Sequence, residues 1–319
     1  MTKPIIAFVS QLAEHEQVTW LQLLSAKLPN ESIKLDKDLS QKQKLHCEIV
    51  IVANPSPEKL LQYSQLKWVQ SLWAGVDALV TQLTSDKQIP NFSLARLVDP
   101  MLAKTMSEAV LTWVLYLHRD MPKYMRQQKV AHWQQHRYFL PQERTVGILG
   151  LGELGRLSAL RLSDNDFNVL GWSQSEKKIK GVQCYSGHDE LMTMIKQCHI
   201  LVCLLPLTAT TYQLINRDLI LHLPKGASII NFARGGIIAN DDLVKHLDEG
   251  YLEHAILDVF EQEPLDKNNV LWSHEKVTIL PHISAPTHFD SAGDIVVNNI
   301  KKYRINNQLP VCIDWRKGY

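Results

Sequence analysis

Gly150-Leu151-Gly152-Glu153-Leu154-Gly155 is a GxGxxG that directly follows the apolar run Thr145–Leu149 and opens a segment of helical character. In such a loop the first glycine permits a tight turn and the second lets backbone approach a pyrophosphate. The third lets helix pack on strand. The helix N-terminus then offers unpaired N–H groups and a positive dipole end to phosphates. Alone the pattern is weak; between a strand and a helix, in a run of βα units, it points to a dinucleotide. Three further segments fall at the ends of successive apolar runs: Asn231-Phe232-Ala233-Arg234-Gly235-Gly236, Asp258-Val259-Phe260-Glu261-Gln262-Glu263-Pro264-Leu265 and Pro281-His282-Ile283-Ser284-Ala285. Ligands of open α/β sheets bind at those ends. Arg234 offers a planar fork for a carboxylate or carbonyl oxygen. His282 is a proton donor, and Glu263 a carboxylate able to orient it. Reduction of a ketone flanked by a carboxylate needs these groups together. Singly, each has a bland explanation: a turn arginine, a glutamate before proline, a core histidine.

An NAD-type loop usually has an acid about 20 residues on, for the ribose 2′-hydroxyl. The matching stretch here, Leu170 to Ser175, has none, and Lys177 and Lys178 follow Glu176. Ser173 and Lys177 are therefore candidates for a 2′-phosphate; NADP (NADPH) is favoured and NAD is possible.

These residues must be positioned by an alternation of strands and helices, the signature of a parallel α/β fold. Strands are expected at Ile5–Val9, Glu48–Val52, Lys67–Leu72 and Phe92–Ala95. A second series covers Val146–Leu149, Asn168–Trp172, Ile200–Leu204, Ser228–Asn231, Ala255–Val259 and Val277–Leu280. Val18, Leu21 and Leu24 share a face of a helix over Glu14–Lys27. Asp99-Pro100 starts a long helix. Met121–Glu143 is a polar, aromatic arm without clear periodicity. Thr287–Arg304 reads as a helix and Pro310–Ile313 as a short strand, a tail too small to bury its own core. The expected architecture is α/β with two doubly wound parallel-sheet domains. A Rossmann dinucleotide-binding domain (98–286) is inserted in a discontinuous flavodoxin-like substrate domain (1–97 and 287–319).

With 319 residues, 45% hydrophobic, 21% charged and a net charge of +1, the chain has no global field for nucleic acid or an anionic membrane. The longest apolar stretch, Ile200–Leu207, is too short to span a bilayer. Five scattered cysteines without a CxxC suggest reduced thiols and a cytoplasmic setting. Ile5–Val9 reads as a buried strand rather than a leader. His132 and His136 lack a third ligand, so no metal site is expected. Lys42 and Lys44 read as solvated charge.

The chain resembles the D-isomer-specific 2-hydroxyacid dehydrogenase family over essentially its whole length, most of all the glyoxylate/hydroxypyruvate reductase A branch. The resemblance rests on Trp73-Ala74-Gly75-Val76-Asp77, Val146 to Gly152, Leu205-Pro206-Leu207-Thr208, the Arg234 and Glu263 segments, Pro281-His282 and Gly318-Tyr319. It implies an enzyme that reduces a small 2-keto acid to the D-2-hydroxy acid, with Arg234, Glu263 and His282 catalytic. It also implies that backbone N–H groups of Ala74, Gly75 and Val76 hold the substrate carboxylate. Leu154 and Gly155 would meet pyrophosphate. Leu205, Pro206, Thr211 and Ala233 would lie along the cofactor, with Asp258 at the nicotinamide carboxamide. A homodimer is implied, built on the long helix and the arm, with Trp133 the candidate to reach a neighbouring active site. Two departures stand out: Ser284-Ala285 replaces a glycine, and Gln174 stands where the branch often has arginine. Alternatives are a D-lactate-like branch and a cofactor-sensing, corepressor-like binding module.

Overall fold

Runs rich in β-branched and other apolar residues make the central strands of both sheets. The structure, a computed structural model, describes residues 3–85 and 89–319. The chain divides into two units, Met1–Met101 with Thr287–Tyr319, and Leu102–Pro286.

The first unit runs β1 (Ile5–Ser10), α1 (Glu14–Lys27), β2 (Ser32–Leu35), α2 (Gln41–Leu45), β3 (Ile49–Ala53), α3 (Pro57–Leu60), β4 (Trp68–Ser71), α4 (Asp77–Leu83) and β5 (Ser93–Ala95). Its five parallel strands are ordered β2-β1-β3-β4-β5, the flavodoxin-like order, which reverses between β1 and β3. Period-2 alternation sends Ile6, Phe8, Ile49 and Ile51 to one buried face and Ala7, Val9, Val50 and Val52 to the other. The edge strand β2 was not expected, because its partly exposed Ser-Ile-Lys-Leu pairs on one side only and carries no apolar run.

Lys44 is a correction to the sequence reading. It is buried, with Nζ 2.6 Å from Asp36 Oδ1, and the Tyr63 hydroxyl donates to the same oxygen at 2.6 Å. Burial alone would raise the Asp36 carboxyl. The bonds from Lys44 and Tyr63, with the charges of Lys44 and Lys59, bring it below its ordinary value instead.

The second unit contains α5 (Pro100–His118), α6 (Met121–Lys129), β6 (Thr145–Leu149), α7 (Glu153–Ser163), β7 (Asn168–Ser173), β8 (Gln183–Ser186), α8 (Gly187–Ile195), β9 (Ile200–Cys203), α9 (Arg217–His222), β10 (Ala227–Asn231), α10 (Asn240–Asp248), β11 (Leu252–Leu257) and β12 (Val277–Ile279). Seven parallel strands are ordered β12-β11-β10-β9-β6-β7-β8. This is the doubly wound dinucleotide-binding order with one extra strand, and its switch point lies between β6 and β9. Sequence periodicity anticipated six strands; β8, another short edge strand of mixed polarity, makes seven. The arm is also more regular than its pattern suggested. Pro122 starts α6, and Arg126 Nη2 pairs with Glu253 Oε1 on β11 at 2.8 Å. The irregular chain after α6 folds back on it: the His136 N–H donates to the Tyr124 hydroxyl at 3.0 Å, and its ring meets Gln127 Oε1 at 2.7 Å.

The last helix, α11 (Phe289–Asn306), returns to the first unit, where Ala292, Val296, Ile300 and Tyr303 join Trp20 and Leu24 of α1 in one core. Beyond it the expected strand at Pro310–Ile313 is absent. Pro310 lacks an N–H, and the Ile313 N–H makes a single backbone bond to the sheet edge, donating to Leu94 O at 2.8 Å. Among the described residues, no helix is long and apolar enough to cross a membrane.

His254 on β11 is buried, with Nε2 2.9 Å from Thr278 Oγ1 and Nδ1 unpartnered. Burial, reinforced by Arg126 and His274, pulls its imidazole down to about 4. The unfolded chain therefore takes up this proton first, and stability falls as pH drops from 6.5 toward about 4. We expect His254→Asn to flatten the dependence of Tm on pH in that window. Parallel wild-type and mutant profiles there would refute the assignment.

Candidate active site

Gly150 leaves β6 at φ +100°, and a Cβ there would stand 2.7 Å from Leu204 O. Gly155 packs so closely on Gly150 O that a Cβ would collide with it. Gly152, by contrast, is exposed, with no atom within 4 Å of where its Cβ would be, and it caps α7 without a side-chain bond. Two glycines are needed inside the protein and one faces open space, beside first-turn N–H groups left free for an acceptor. The cradle fits a dinucleotide pyrophosphate, and half-buried Leu154 lies in the same turn.

At the end of β7, Ser173 Oγ donates to Ser175 O at 2.7 Å, and Lys177 is exposed. A cleft of about 690 Å³, lined by Lys177, Lys178, Lys180, Tyr185 and Ser186 among others, adjoins this turn. Its three lysines share the lining with Glu176 and Glu190. After β9, buried Thr211 ties off the loop that Leu205 and Pro206 begin: its hydroxyl donates to Pro206 O at 2.7 Å and accepts the Thr208 N–H at 2.8 Å.

Asn231 ends β10, and sequence reasoning did not single it out. Its Oδ1 accepts the Ala233 N–H at 3.1 Å, and its amide donates to Arg234 O at 2.9 Å. Half-buried Arg234 thus leaves the sheet on a braced turn, and its Nη1 donates to Ala233 O at 2.7 Å. A buried polar residue closing an apolar strand was the available signal. The next residue, Gly235, lies against the backbone of Phe260 and Glu261, leaving no room for a Cβ.

Glu263 and His282 are brought together. Glu263 Oε1 accepts the Phe260 N–H at 2.9 Å, while Oε2 lies 2.7 Å from His282 Nδ1. A carboxylate only accepts, so Nδ1 carries the hydrogen of this bond and Nε2 is left for a ligand. The imidazole side chain is 54% exposed, as a group that must meet a substrate requires. His282 itself sits at φ +54°, a conformation uncommon outside glycine though less so for His. Asp258 holds it there. Buried to 2% exposure, its carboxylate accepts the Ile283 and Ser284 N–H groups at 2.7 and 3.0 Å, while its backbone carbonyl accepts the His282 N–H at 3.0 Å. The Ser284 hydroxyl is buried without a partner.

In the first unit, the 74–76 loop follows β4. Trp73 is pinned by three bonds: its N–H to Ser71 Oγ, its indole N–H to Asn54 Oδ1 and its carbonyl to the Leu97 N–H, at 3.0, 2.9 and 2.9 Å. Val76 caps α4, and Gly75 is exposed. Among the described residues, none accepts a hydrogen bond from the N–H of Ala74, Gly75 or Val76. No group of three or more His, Cys, Asp or Glu is placed to hold a metal, again among the described residues.

Comparison with known proteins shows the family and the fold. Residues 111–284 match the model of the D-isomer specific 2-hydroxyacid dehydrogenase, NAD binding domain. A D-isomer specific 2-hydroxyacid dehydrogenase from Xanthobacter autotrophicus Py2, solved with NADPH and MES, superposes with a TM-score of 0.91 at 32% identity, over 100% of both chains. An NADPH-dependent glyoxylate/hydroxypyruvate reductase from Sinorhizobium meliloti, solved with NADP and sulfate, gives 0.89 at 29% identity, covering 99% of this chain and 100% of that one. A probable 2-hydroxyacid dehydrogenase from Rhizobium etli CFN 42, solved with NADP, HEPES and L(+)-tartaric acid, gives 0.89 at 28%, over 100% of both.

Because the atom in its way is backbone, Gly155→Ala should push α7 off Gly150. We expect dinucleotide affinity, followed by NADPH fluorescence, to fall at least about ten-fold, the equivalent of one lost charge-assisted hydrogen bond. Unchanged affinity would mean that the cradle is not where the cofactor binds.

Proposed function

The chain belongs to the D-isomer specific 2-hydroxyacid dehydrogenase family, and from that membership we propose that it reduces glyoxylate or hydroxypyruvate to the D-2-hydroxy acid with NADPH. The observation that carries this reading is the Glu263–His282 contact of 2.7 Å at strand ends shared with Arg234.

NADPH, when bound, supplies the hydride. The protein's own residues do the rest. Arg234 clamps the keto acid through its guanidinium, whose fork matches paired oxygens. The backbone N–H groups of Ala74, Gly75 and Val76 take the substrate carboxylate. His282 gives a proton from Nε2 to the carbonyl oxygen as charge develops there, a stabilisation felt in the transition state rather than the ground state. Glu263 keeps the ring in the tautomer and orientation that aim Nε2 outward. Ser173 and Lys177 receive the 2′-phosphate, supported by the absence of any carboxylate between Leu170 and Ser175. Asp258 approaches the nicotinamide carboxamide, with lone pairs to spare beyond its two backbone bonds. A carboxylate-bearing substrate of two or three carbons accounts for so small and charged a set.

The working unit in this reading is a cytoplasmic homodimer. Trp133 on the arm is 95% exposed, and Val130, Met125 and Tyr138 add apolar surface nearby in sequence; a second copy would cover them.

A panel of 2-keto acids assayed with NADPH and NADH tests the proposal. Turnover should be highest with glyoxylate or hydroxypyruvate and NADPH. A higher kcat/KM with NADH sinks the cofactor assignment, and absence of any turnover favours a binding module. His282→Ala should lower kcat by about 10²–10⁴-fold, the usual worth of general acid catalysis, with NADPH affinity kept. Arg234→Lys should raise KM for the keto acid more than for NADPH, and equal effects on both would reject the clamp. A monomer in light scattering would remove the dimer.

A further inference from the structure

Three neighbouring loops of the second unit follow consecutive strands: 205–214 after β9, 232–239 after β10 and 258–265 after β11. Tyr212 touches all of them. It belongs to the first, immediately after Thr211. Its ring edge lies 3.4 Å from where a Cβ on Gly236 would stand, in the second. Its hydroxyl donates to Glu261 Oε1 in the third at 3.2 Å. The backbone supports the same junction, since Gln213, at φ +48°, donates its N–H to Gly236 O at 2.8 Å. Gly235 in turn abuts the Phe260–Glu261 backbone. The charge of Glu261, with the hydrogen bond to it, raises the Tyr212 phenol above its ordinary value and keeps it a donor.

We propose that Tyr212 is a positioning residue: through Glu261 it fixes the distance between the cofactor loop ended by Thr211 and the loop that presents Glu263 to His282. The inference rests on the functional reading above, because it concerns the arrival of hydride and proton at one carbonyl. Glu261 and Glu263 flank Gln262 in a single turn, and Glu263 is itself held by the Phe260 N–H. A Glu261 left loose frees the turn that orients His282. Reaction rate depends steeply on such alignment, whereas ground-state binding at either loop does not.

The test uses full-length protein and two readouts. Hydrogen exchange by mass spectrometry, without cofactor, should show faster exchange of amides 259–263 in Tyr212→Phe, with the glycine loop at 150–155 unchanged. In steady-state assays Tyr212→Phe should lose about three- to ten-fold in kcat, the size expected for one hydrogen bond, with KM for NADPH held. Glu261→Ala should match Tyr212→Phe, and the double variant should be no worse than either. Glu261→Gln keeps an acceptor carbonyl of the same reach and should stay near wild type in both readouts. Unaltered exchange in Tyr212→Phe overturns the inference whatever the activity. Faster exchange with full kcat overturns it also, as would additive losses in the double variant. A wild-type protein inactive on every keto acid, yet showing the exchange change, removes the functional reading and leaves the loop coupling standing.

Discussion

Asp258 is buried to 2% exposure, yet it carries a carboxylate. A charge in that position is costly unless its lone pairs are met, and here they meet the Ile283 and Ser284 N–H groups. The bonded pair of amides forces the chain after β12 to turn back across the end of β11, and His282 is the residue at the bend, at φ +54°. The His282 side chain leaves that bend to reach Glu263. The buried carboxylate therefore acts as an anchor for backbone, and the Glu263–His282 geometry depends on it. A role at the nicotinamide carboxamide is compatible with this, since two bonds do not exhaust an ionised carboxyl.

The same economy recurs along the sheet. Asn231 braces the turn of Arg234, Thr211 closes the loop begun by Leu205 and Pro206, and the Phe260 N–H fixes one oxygen of Glu263. Each of these candidate side chains leaves from a turn braced by its own hydrogen bonds. Such turns lose little further entropy when a substrate binds. Parallel strands make the arrangement possible, because β9, β10 and β11 deliver consecutive loops to one edge, where Gly235 lets two of them touch backbone to backbone.

The strands most legible in the sequence are those buried on both faces. β1, β3 and β9 are nearly continuous apolar runs and β6 and β10 are mostly apolar, and such runs have few other places to go. Edge strands β2 and β8 escaped notice because half of each faces solvent, so neither carries a clear period. The arm hid α6 for a related reason: its helix is mostly polar and held by an ion pair to Glu253, a partner 127 residues away. Lys44 looked like solvated charge until Asp36 and Tyr63 closed around it.

For the site, residue type and strand-end placement sufficed to single out the glycine loop, Arg234, Glu263 and His282. Chemistry at such ends restricts which residues are useful, and that restriction is written locally. What the sequence by itself determined was therefore the doubly wound class, and it singled out the glycine loop, Arg234, Glu263 and His282 as candidates. Tertiary structure alone decided the supports: that Asp258 binds the backbone of 283 and 284, that Asn231 braces Arg234, and that Tyr212 reaches Glu261. The first and last join loops 25 and 49 residues apart in the chain, and the second lies within a single turn. Hydrogen-bond partnership depends on positions within a few tenths of an ångström, which no pattern of residue types encodes before the strands are laid side by side.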